Sequence, residues 1–422
     1  MKVLRRIFVV IKQSNLLHNV LNLFVIEGLN FLLPFIALPF LYRVLGVEKY
    51  GVIASAYSFY IFANIVIDYG FNLSATREIS LNVDKKEELN KVVSSTIVSK
   101  MLLLFITIAV CCFIIELSSF REYRIVFYLM MGIPIGNCFF PVWFFQGIEK
   151  MAYITTTTSL AKLLSFIPMF IIVRNESDIV WVSVFYSLGF ITSGMVSMYI
   201  LIKRFDIRFV PVRMVGVIQT IKNSSPYFLS RISAAFNGVG NTILIGLKCG
   251  SLMAGYYDSA QKIVVAFSTA LNPLVTALYP YMIKRRNVVL FRKILIILSM
   301  IGLIISLIAA WQAPVILKLL FGEACSETVT ILRILLISTS FVVPNYLFGY
   351  PLLAAMGHTK YTNYTVILAG ILYILVISAA IIFNKFNAVF VASVFVGFEF
   401  VVFILRIVGV IRYKTLRIVK KY

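Results

Sequence analysis

Histidine is nearly absent from this 422-residue chain: His18 and His358 are its two, too few to build a metal site between them. Cysteine is scarce as well, and Cys111, Cys112, Cys138, Cys249 and Cys325 show neither a disulfide framework nor a C-x-x-C metal spacing. Charged residues of both signs make up 13% of the chain, with 17 Asp and Glu against 39 Lys and Arg. Soluble domains carry about 25% charge, so a water-soluble fold is excluded. Disorder is excluded too, because 61% of the residues are hydrophobic and low-complexity tracts are missing. No G-x-x-x-x-G-K-[ST] occurs, so the chain has no P-loop for nucleotide hydrolysis. Long polar loops are missing as well. The longest on what reads as the outer side, about 312–328, has Glu323 and Glu327 but no histidine. That leaves no room for a folded domain outside the membrane, and it argues against a membrane glycosyltransferase, ligase or polymerase.

What the chain has is apolar length, with a mean hydropathy of +0.96. A hydrocarbon core about 30 Å thick needs ~20 mostly apolar residues in a helix. Twelve stretches qualify: 16–41, 51–72, 93–115, 125–145, 153–173, 179–202, 225–247, 257–282, 294–311, 329–356, 364–383 and 388–411. The opening segment, Met1 to Gln13, imitates a signal peptide, but its apolar run Ile7–Ile11 is too short and no small-residue cleavage site follows. It reads as a basic amphipathic segment on the cytoplasmic face. The net charge of +22 would suggest nucleic acid in a soluble protein. Here it falls between the apolar runs, where the positive-inside bias accounts for it and no nucleic-acid partner is needed. The N-terminus, the even-numbered loops and the tail hold 25 Lys and Arg, the odd-numbered loops 8, and 6 lie within spans. Both termini are therefore expected in the cytoplasm.

The chain also repeats itself. Pro134, Pro141, Gly147 and Lys150 recur as Pro344, Pro351, Gly357 and Lys360, offset by 210 residues. Gly51-x-x-x-Ser55-Ala56 recurs as Gly255-x-x-x-Ser259-Ala260, offset by 204. Pro and Gly are common at the ends of membrane helices, which is the competing explanation. If the repeat is real, six helices per half give two halves of one orientation, with a substrate path between them. The expected domains are a six-helix lobe at 1–202, a basic cytoplasmic linker at 203–224, a second lobe at 225–411 and a basic tail at 412–422.

Charges inside a bilayer cost roughly 2.5–3.5 kcal/mol on insertion scales, so such residues tend to face a cavity. Lys262, Arg333 and Arg406 lie close enough to span ends to snorkel. Asp258 and Lys262 also stand i,i+4 and can neutralise each other. Lys100, Lys162 and Arg231 lie deeper and are candidates for a polar interior. Polar stripes point the same way: Asn15, Asn19, Asn22 and Asn30 with Glu27; Tyr57, Asn64, Asp68 and Asn72; Thr155, Thr158, Ser159, Lys162 and Ser165; Ser230, Asn237 and Asn241 beside Arg231; and Asp258, Gln261, Lys262, Ser268, Asn272 and Thr276. Five stripes on separate helices predict a shared polar lumen. Arg231, Lys162 and Lys100 are the cations for an anionic head group, and Asn237, Asn241, Asn30 and Asn64 are candidate polar partners for a substrate in the same lumen. Glu27, Asp68, Asp258 and Glu399 are either counter-ions or the sites of a coupling proton or sodium ion.

Two stretches carry a family likeness. Pro141-Val-Trp143-Phe-Phe-Gln146-Gly147-Ile-Glu149-Lys150 resembles the P-x-W-x-x-Q-G-x-E signature of Wzx-type polysaccharide flippases. Asp68-Tyr69-Gly70-Phe71-Asn72, followed by Ser74-Ala75-Thr76-Arg77, resembles a second stretch of that family. Gly255-Tyr256-Tyr257 with Ala260 and Lys262, and Phe321-Gly322, are further, less specific likenesses. The resemblance implies an all-α integral membrane protein of the multidrug/oligosaccharidyl-lipid/polysaccharide exporter superfamily, with two pseudo-symmetric six-helix bundles forming a V around a central lumen. It implies a substrate, an undecaprenyl-pyrophosphate-linked oligosaccharide flipped across a bacterial inner membrane, as in O-antigen synthesis. It also implies work beside a polysaccharide polymerase, and neither enzymatic activity nor a bound cofactor. The two extra helices of the peptidoglycan-precursor flippase are missing. An ion-coupled multidrug exporter of the same superfamily is the rival reading, although such exporters favour acidic sites.

Overall fold

The computed structural model describes residues 16–271, 275, 278–279, 281–283 and 286–416, with side chains omitted at 16–32, 34, 226, 229–230, 233–234 and 270. Among these residues there is no strand. In chain order the long helices are α1 (Leu16–Asp68), α2 (Phe71–Leu81) and α3 (Lys86–Leu117). Three short ones follow, α4 (Arg124–Met130), α5 (Gly132–Cys138) and α6 (Val142–Gly147), and then α7 (Ala152–Ile172) and α8 (Ile179–Lys203). The remainder are α9 (Met214–Phe236), α10 (Val239–Cys249), α11 (Ser251–Ala270), α12 (Val288–Trp311), α13 (Ala313–Phe321), α14 (Ser326–Leu347), α15 (Thr359–Ile382) and α16 (Ala388–Arg412).

Nine segments among the described residues are long and apolar enough to cross a membrane. They differ from the twelve sequence-derived spans where the backbone breaks. The first two spans are two helical stretches of α1 that meet at Gly46 (φ 72, ψ 160), inside the expected connection at 42–50 and with no longer loop between them. The fourth is three short helices: α4 and α5 meet at Met131, and α5 does not carry on into α6 because Pro141 lacks the N–H that would continue it. The seventh divides at Gly238 (φ −101, ψ −102) into α9 and α10, and the eighth lies partly outside the described residues. The expected outer loop at 312–328 contains α13 instead. Pro314 opens that helix, Gly322 (φ 88) caps it, and Ala313, Leu317 and Phe321 form its buried face.

Contacts divide the chain into two units. One comprises 1–44, 67–113 and 125–225; the other comprises 45–66, 114–124 and 226–422. Within the first, α8 packs on α7 and α5 with glycines at the closest approaches: a Cβ on Gly136 would strike the Phe190 backbone, and one on Gly194 the Gly136 carbonyl.

The second unit contains the 204-residue repeat as a physical pair. Gly46 and Gly250 break the chain in nearly the same conformation, φ 72, ψ 160 and φ 88, ψ 167, and a helical stretch starts after each. Five residues on, Gly51 and Gly255 meet. A Cβ on Gly51 would strike the Ser251 carbonyl, and one on Gly255 the Val47 carbonyl. Val47 and Ser251 are themselves 204 apart, so the crossing has local two-fold symmetry. The 210-residue repeat is looser. Glu149 (φ 57) and Gly357 (φ 96) end the two segments, with Lys150 N–H to Phe145 C=O and His358 N–H to Leu353 C=O both at 2.9 Å. Cap to cap the register is 208, so the proline register does not extend to the helix ends.

Candidate functional site

The two family-like stretches form one module in the first unit. Tyr69 (φ 39) and Gly70 (φ 80) turn the chain out of α1 and start α2. Phe71, Ala75 and Ile79 of α2 then pack with Trp143, Phe144 and Phe145 of α6 in one buried cluster. Thr76 donates to the Trp143 carbonyl at 3.1 Å and Ser80 to the Gly147 carbonyl at 3.0 Å. A Cβ on Gly147 would strike Ile79, so only glycine allows α6 to lie this close. Pro141 is buried at the break, Gln146 is half-buried, and Glu149 is exposed on the left-handed turn. These motif residues hold two helices together; Trp143 is fully buried.

Beside that module sits an ion pair. Lys100 lies on α3 with its side chain 1% exposed, and its ammonium is 3.0 Å from Asp68, which is 12% exposed. The same ammonium donates to the Asn137 carbonyl at 2.8 Å. Asp68 also accepts from the Asn137 amide at 3.3 Å and from the Asn72 amide at 3.4 Å. The charges of Lys100 and Asp68 are thus turned toward each other. After α5 the Asn137 carbonyl accepts from the Phe140 N–H at 3.2 Å, and because Pro141 has no N–H to offer it an i+4 bond, its second lone pair is left to Lys100.

In the second unit, the Gly51–Gly255 crossing brings Tyr50 to Asp258. The Tyr50 hydroxyl donates to Asp258 at 2.5 Å, and Thr242 on α10 donates to the other carboxylate oxygen at 3.4 Å. Lys262 stands 3.9 Å away, is 39% exposed, and lies over the Tyr57 ring at 5.8 Å. Its i,i+4 partnership is as the spacing predicts, though loose.

One layer along, Asn241 donates to the Tyr257 hydroxyl at 2.9 Å and to the Asn237 carbonyl at 3.1 Å, and accepts from Tyr373 at 2.5 Å. Asn237 is 4% exposed, and neither its amide nitrogen nor its amide oxygen has a partner among the described residues. It adjoins the Gly238 break, whose carbonyl accepts from Gln261 at 3.5 Å. Asn64 is buried too, with an unpartnered side-chain oxygen. Tyr57 and Asn64 belong to this unit, whereas Asp68 and Asn72 belong to the first, so the second stripe is shared between two environments.

Glu399 on α16 accepts from the Asn345 amide at 2.7 Å. Arg406 corrects the snorkelling expectation. It is 8% exposed and its guanidinium donates to the Asn345 carbonyl, at the point where α14 passes into a π-helical turn (Phe348–Ala354) broken at Gly349. Arg333, by contrast, is exposed and donates to the Ala310 carbonyl at 3.1 Å.

Lys162 is half-buried on α7 in the first unit, and Arg231 is half-buried on α9 in the second. Arg231 has no hydrogen bond or ion pair among the described residues. The α7 stripe needs no water to satisfy part of it. Thr158 bonds back to the Ile154 carbonyl at 2.8 Å and Ser165 to the Ala161 carbonyl at 2.9 Å, and Ser165 fills the space beside Gly189 on α8. The side chains of Asn30, Glu27 and Ser230 lie outside the described residues, as do Asn15, Asn272 and Thr276. Sequence reasoning missed Tyr50, Thr242, Tyr373 and Asn345; they fell outside the polar stripes, and a single Tyr, Thr or Asn in an apolar helix gives no signal until a partner helix is known.

A family model described as "Polysaccharide biosynthesis protein" matches residues 16–286. The chain is 27% identical over 373 residues to a protein of Escherichia coli (strain K12) named "Putative O-antigen transporter", covering 86% of this chain and 90% of that one. The solved structure "Lipid II flippase MurJ, inward closed conformation" is similar with a TM-score of 0.76 at 13% identity, covering 94% of this chain and 88% of that one. A second, "Inward-facing conformation of a multidrug resistance MATE family transporter of the MOP superfamily", gives 0.69 at 17% identity, covering 93% and 96%. At such identities the likeness establishes the fold alone, an all-helical one shared with these two solved structures. The nine apolar segments make the chain a multi-pass membrane protein, and the family match covers more than half its length. It belongs to the polysaccharide biosynthesis protein family.

Proposed function

We propose that this chain is a flippase and not a catalyst. It carries an undecaprenyl-pyrophosphate-linked oligosaccharide, an O-antigen or related repeat unit, from the cytoplasmic to the periplasmic leaflet of a bacterial inner membrane. The family, the name of the E. coli relative and the flippase fold support this reading. The observation that carries it furthest is the buried amide and phenol set of Asn237, Asn241, Tyr257 and Tyr373, with the Asn237 amide unpartnered. An unpaired buried amide is costly, and a hydroxyl-rich ligand is the kind of partner that relieves it. Arg231, the one candidate cation here with no partner among the described residues, suits the phosphate oxygens. Lys162, in the other unit, is retained as a separate candidate for the head group. Lys100 is the weaker candidate, because releasing it would leave Asp68 buried and unpaired.

The mechanism divides the substrate. Sugars and pyrophosphate cross along protein polar groups while the polyprenyl tail stays in lipid, so neither part enters the wrong solvent. Alternating access moves the site from one leaflet to the other and needs no bound cofactor. Asp258 is the foremost candidate for coupling to a proton or sodium gradient, since hydroxyls, not a close cation, hold its carboxylate. The product would pass to polysaccharide polymerase machinery.

The test is the leaflet distribution of lipid-linked sugar in cells lacking the chain and in cells given it back. Cytoplasmic accumulation relieved by the intact chain, and not by Arg231→Ala, is the expected result, with Arg231→Lys partly active. Normal periplasmic sugar-lipid without the chain, and with no redundant flippase, would overturn it. The geometry of Asp258 also favours a second reading, an ion-coupled multidrug exporter. Asp258→Asn abolishing drug efflux while sugar-lipid export persists would select that one.

A further inference from the structure

The segment after α8, expected to be a linker, is docked along one edge of the first unit. The Arg208 N–H donates to Asn90 at 3.0 Å and the Val210 N–H to Ser94 at 2.9 Å, both on α3. Lys86 donates to the Phe205 carbonyl at 2.6 Å. Phe205 itself enters a cluster of rings, with centroids 5.5 Å from Tyr153, 5.4 Å from Phe144 and 6.1 Å from Phe145. The backbone of 205–210 is therefore fixed from several directions.

On this shelf lie two cations. Lys150 Nζ stands 5.3 Å from the Phe205 ring centroid, and the Arg204 guanidinium carbon 5.2 Å from that of Tyr153. Both side chains belong to exposed residues, and neither has an ion-pair partner among the described residues. The acid in the segment, Asp206, is engaged by Lys86 at 3.5 Å and Arg208 at 3.7 Å. Glu149, next to Lys150, forms no ion pair among the described residues. The rings orient the two cations without neutralising them, because a π face attracts a cation but adds no charge. Met151, 57% exposed, and Phe209, 47% exposed, bring apolar surface to the same edge. Two oriented, uncompensated cations beside exposed apolar side chains match a phosphate attached to acyl chains.

We propose that Lys150 and Arg204, held by Phe205 and Tyr153, form a binding site for the phosphate head group of an anionic phospholipid of the surrounding bilayer. Lys150 and Arg204 lie in two of the loops expected on the cytoplasmic face, and the site stands apart from the transport reading, so it succeeds or fails independently of what the chain carries.

The experiment is native mass spectrometry of the purified full-length chain with phosphatidylglycerol and phosphatidylethanolamine at equal concentration. The intact chain is expected to retain phosphatidylglycerol in preference. Lys150→Gln with Arg204→Gln lowers that retention about tenfold or more, from about 1 kcal/mol per basic residue near anionic lipid. Lys248→Gln with Lys318→Gln, which removes the same charge elsewhere, leaves it unchanged. Unaltered thermal unfolding shows that both double variants are folded. Equal retention by Lys150→Gln/Arg204→Gln and the intact chain would overturn the site, and so would equal loss in both double variants. A third arm uses undecaprenyl pyrophosphate. A loss confined to that lipid would assign the cations to the transported substrate and also overturn the proposal.

Discussion

Asp68 and Asp258 each lie in an apolar helix with a lysine in reach, yet their surroundings differ in kind. Lys100 approaches Asp68 to 3.0 Å from a helix 32 residues on, and is sealed there with a backbone carbonyl and two amides. Lys262 stands one turn from Asp258 at 3.9 Å and is partly exposed, while Tyr50 and Thr242 supply the close contacts. The first arrangement is closed, and removing either charge strands the other in a medium that cannot hydrate it. The second is open in its hydrogen bonding, although Asp258 is itself buried, because hydroxyls can both donate and accept and the lysine stands farther off. A carboxylate and a lysine of the same types therefore serve as a structural pair in one unit and as a candidate coupling site in the other.

The largest expected effect comes from removing the approach that builds the open site. Gly51→Leu puts a side chain into the Ser251 carbonyl. Neither helix backbone can yield, so folded protein should be lost, a cost of about 4 kcal/mol or more; fluorescence-detected size-exclusion chromatography measures it. Next, Lys100→Met should destabilise the chain by about 3–5 kcal/mol, and adding Asp68→Leu should recover much of that. Thermal unfolding in detergent compares the two. If the double variant is as unstable as the single, the pair is not closed as described.

Asp258→Asn should cost only about 1–2 kcal/mol, since the amide keeps hydrogen-bonding capacity toward Tyr50 and Thr242. Transport in vesicles should nevertheless lose its response to an imposed proton or sodium gradient. A retained response would move coupling to another carboxylate. The smallest effect belongs to Lys262→Gln, below about 1 kcal/mol, because Lys262 is partly exposed, its separation from Asp258 is long, and Tyr50 and Thr242 keep the buried carboxylate hydrogen-bonded. A loss matching that of Lys100→Met would erase the distinction between the two centres.

Much of the fold was legible in the chain. Apolar length and the family signature both depend on local order of residues, and Gly51 and Gly255 announced themselves by spacing; Gly46 and Gly250 emerged only with the structure. Breaks were harder: the gap left between the first two spans contains the Gly46 kink, but the spans expected at 125–145 and 225–247 run straight through Pro141 and Gly238, because a proline or a small residue is common in a membrane helix. The stripes were only partly informative. The α7 hydroxyls are satisfied in part by their own helix, which a helical wheel cannot distinguish from a wet face. Arg406 sits where a snorkelling arginine would, and is buried instead because the broken α14 leaves a carbonyl for it.

The amino-acid sequence alone determined that this protein lives in a bilayer, and to which family it belongs, because hydropathy and motifs are properties of neighbouring residues. Only the tertiary structure decided which charges meet, which amides lack partners, and that residues 205–210 are docked. Those outcomes depend on the rotation and crossing of helices far apart in the chain. Each residue turns a helix by about 100°, so a one-position shift in a break such as Gly238 would redirect every polar side chain beyond it.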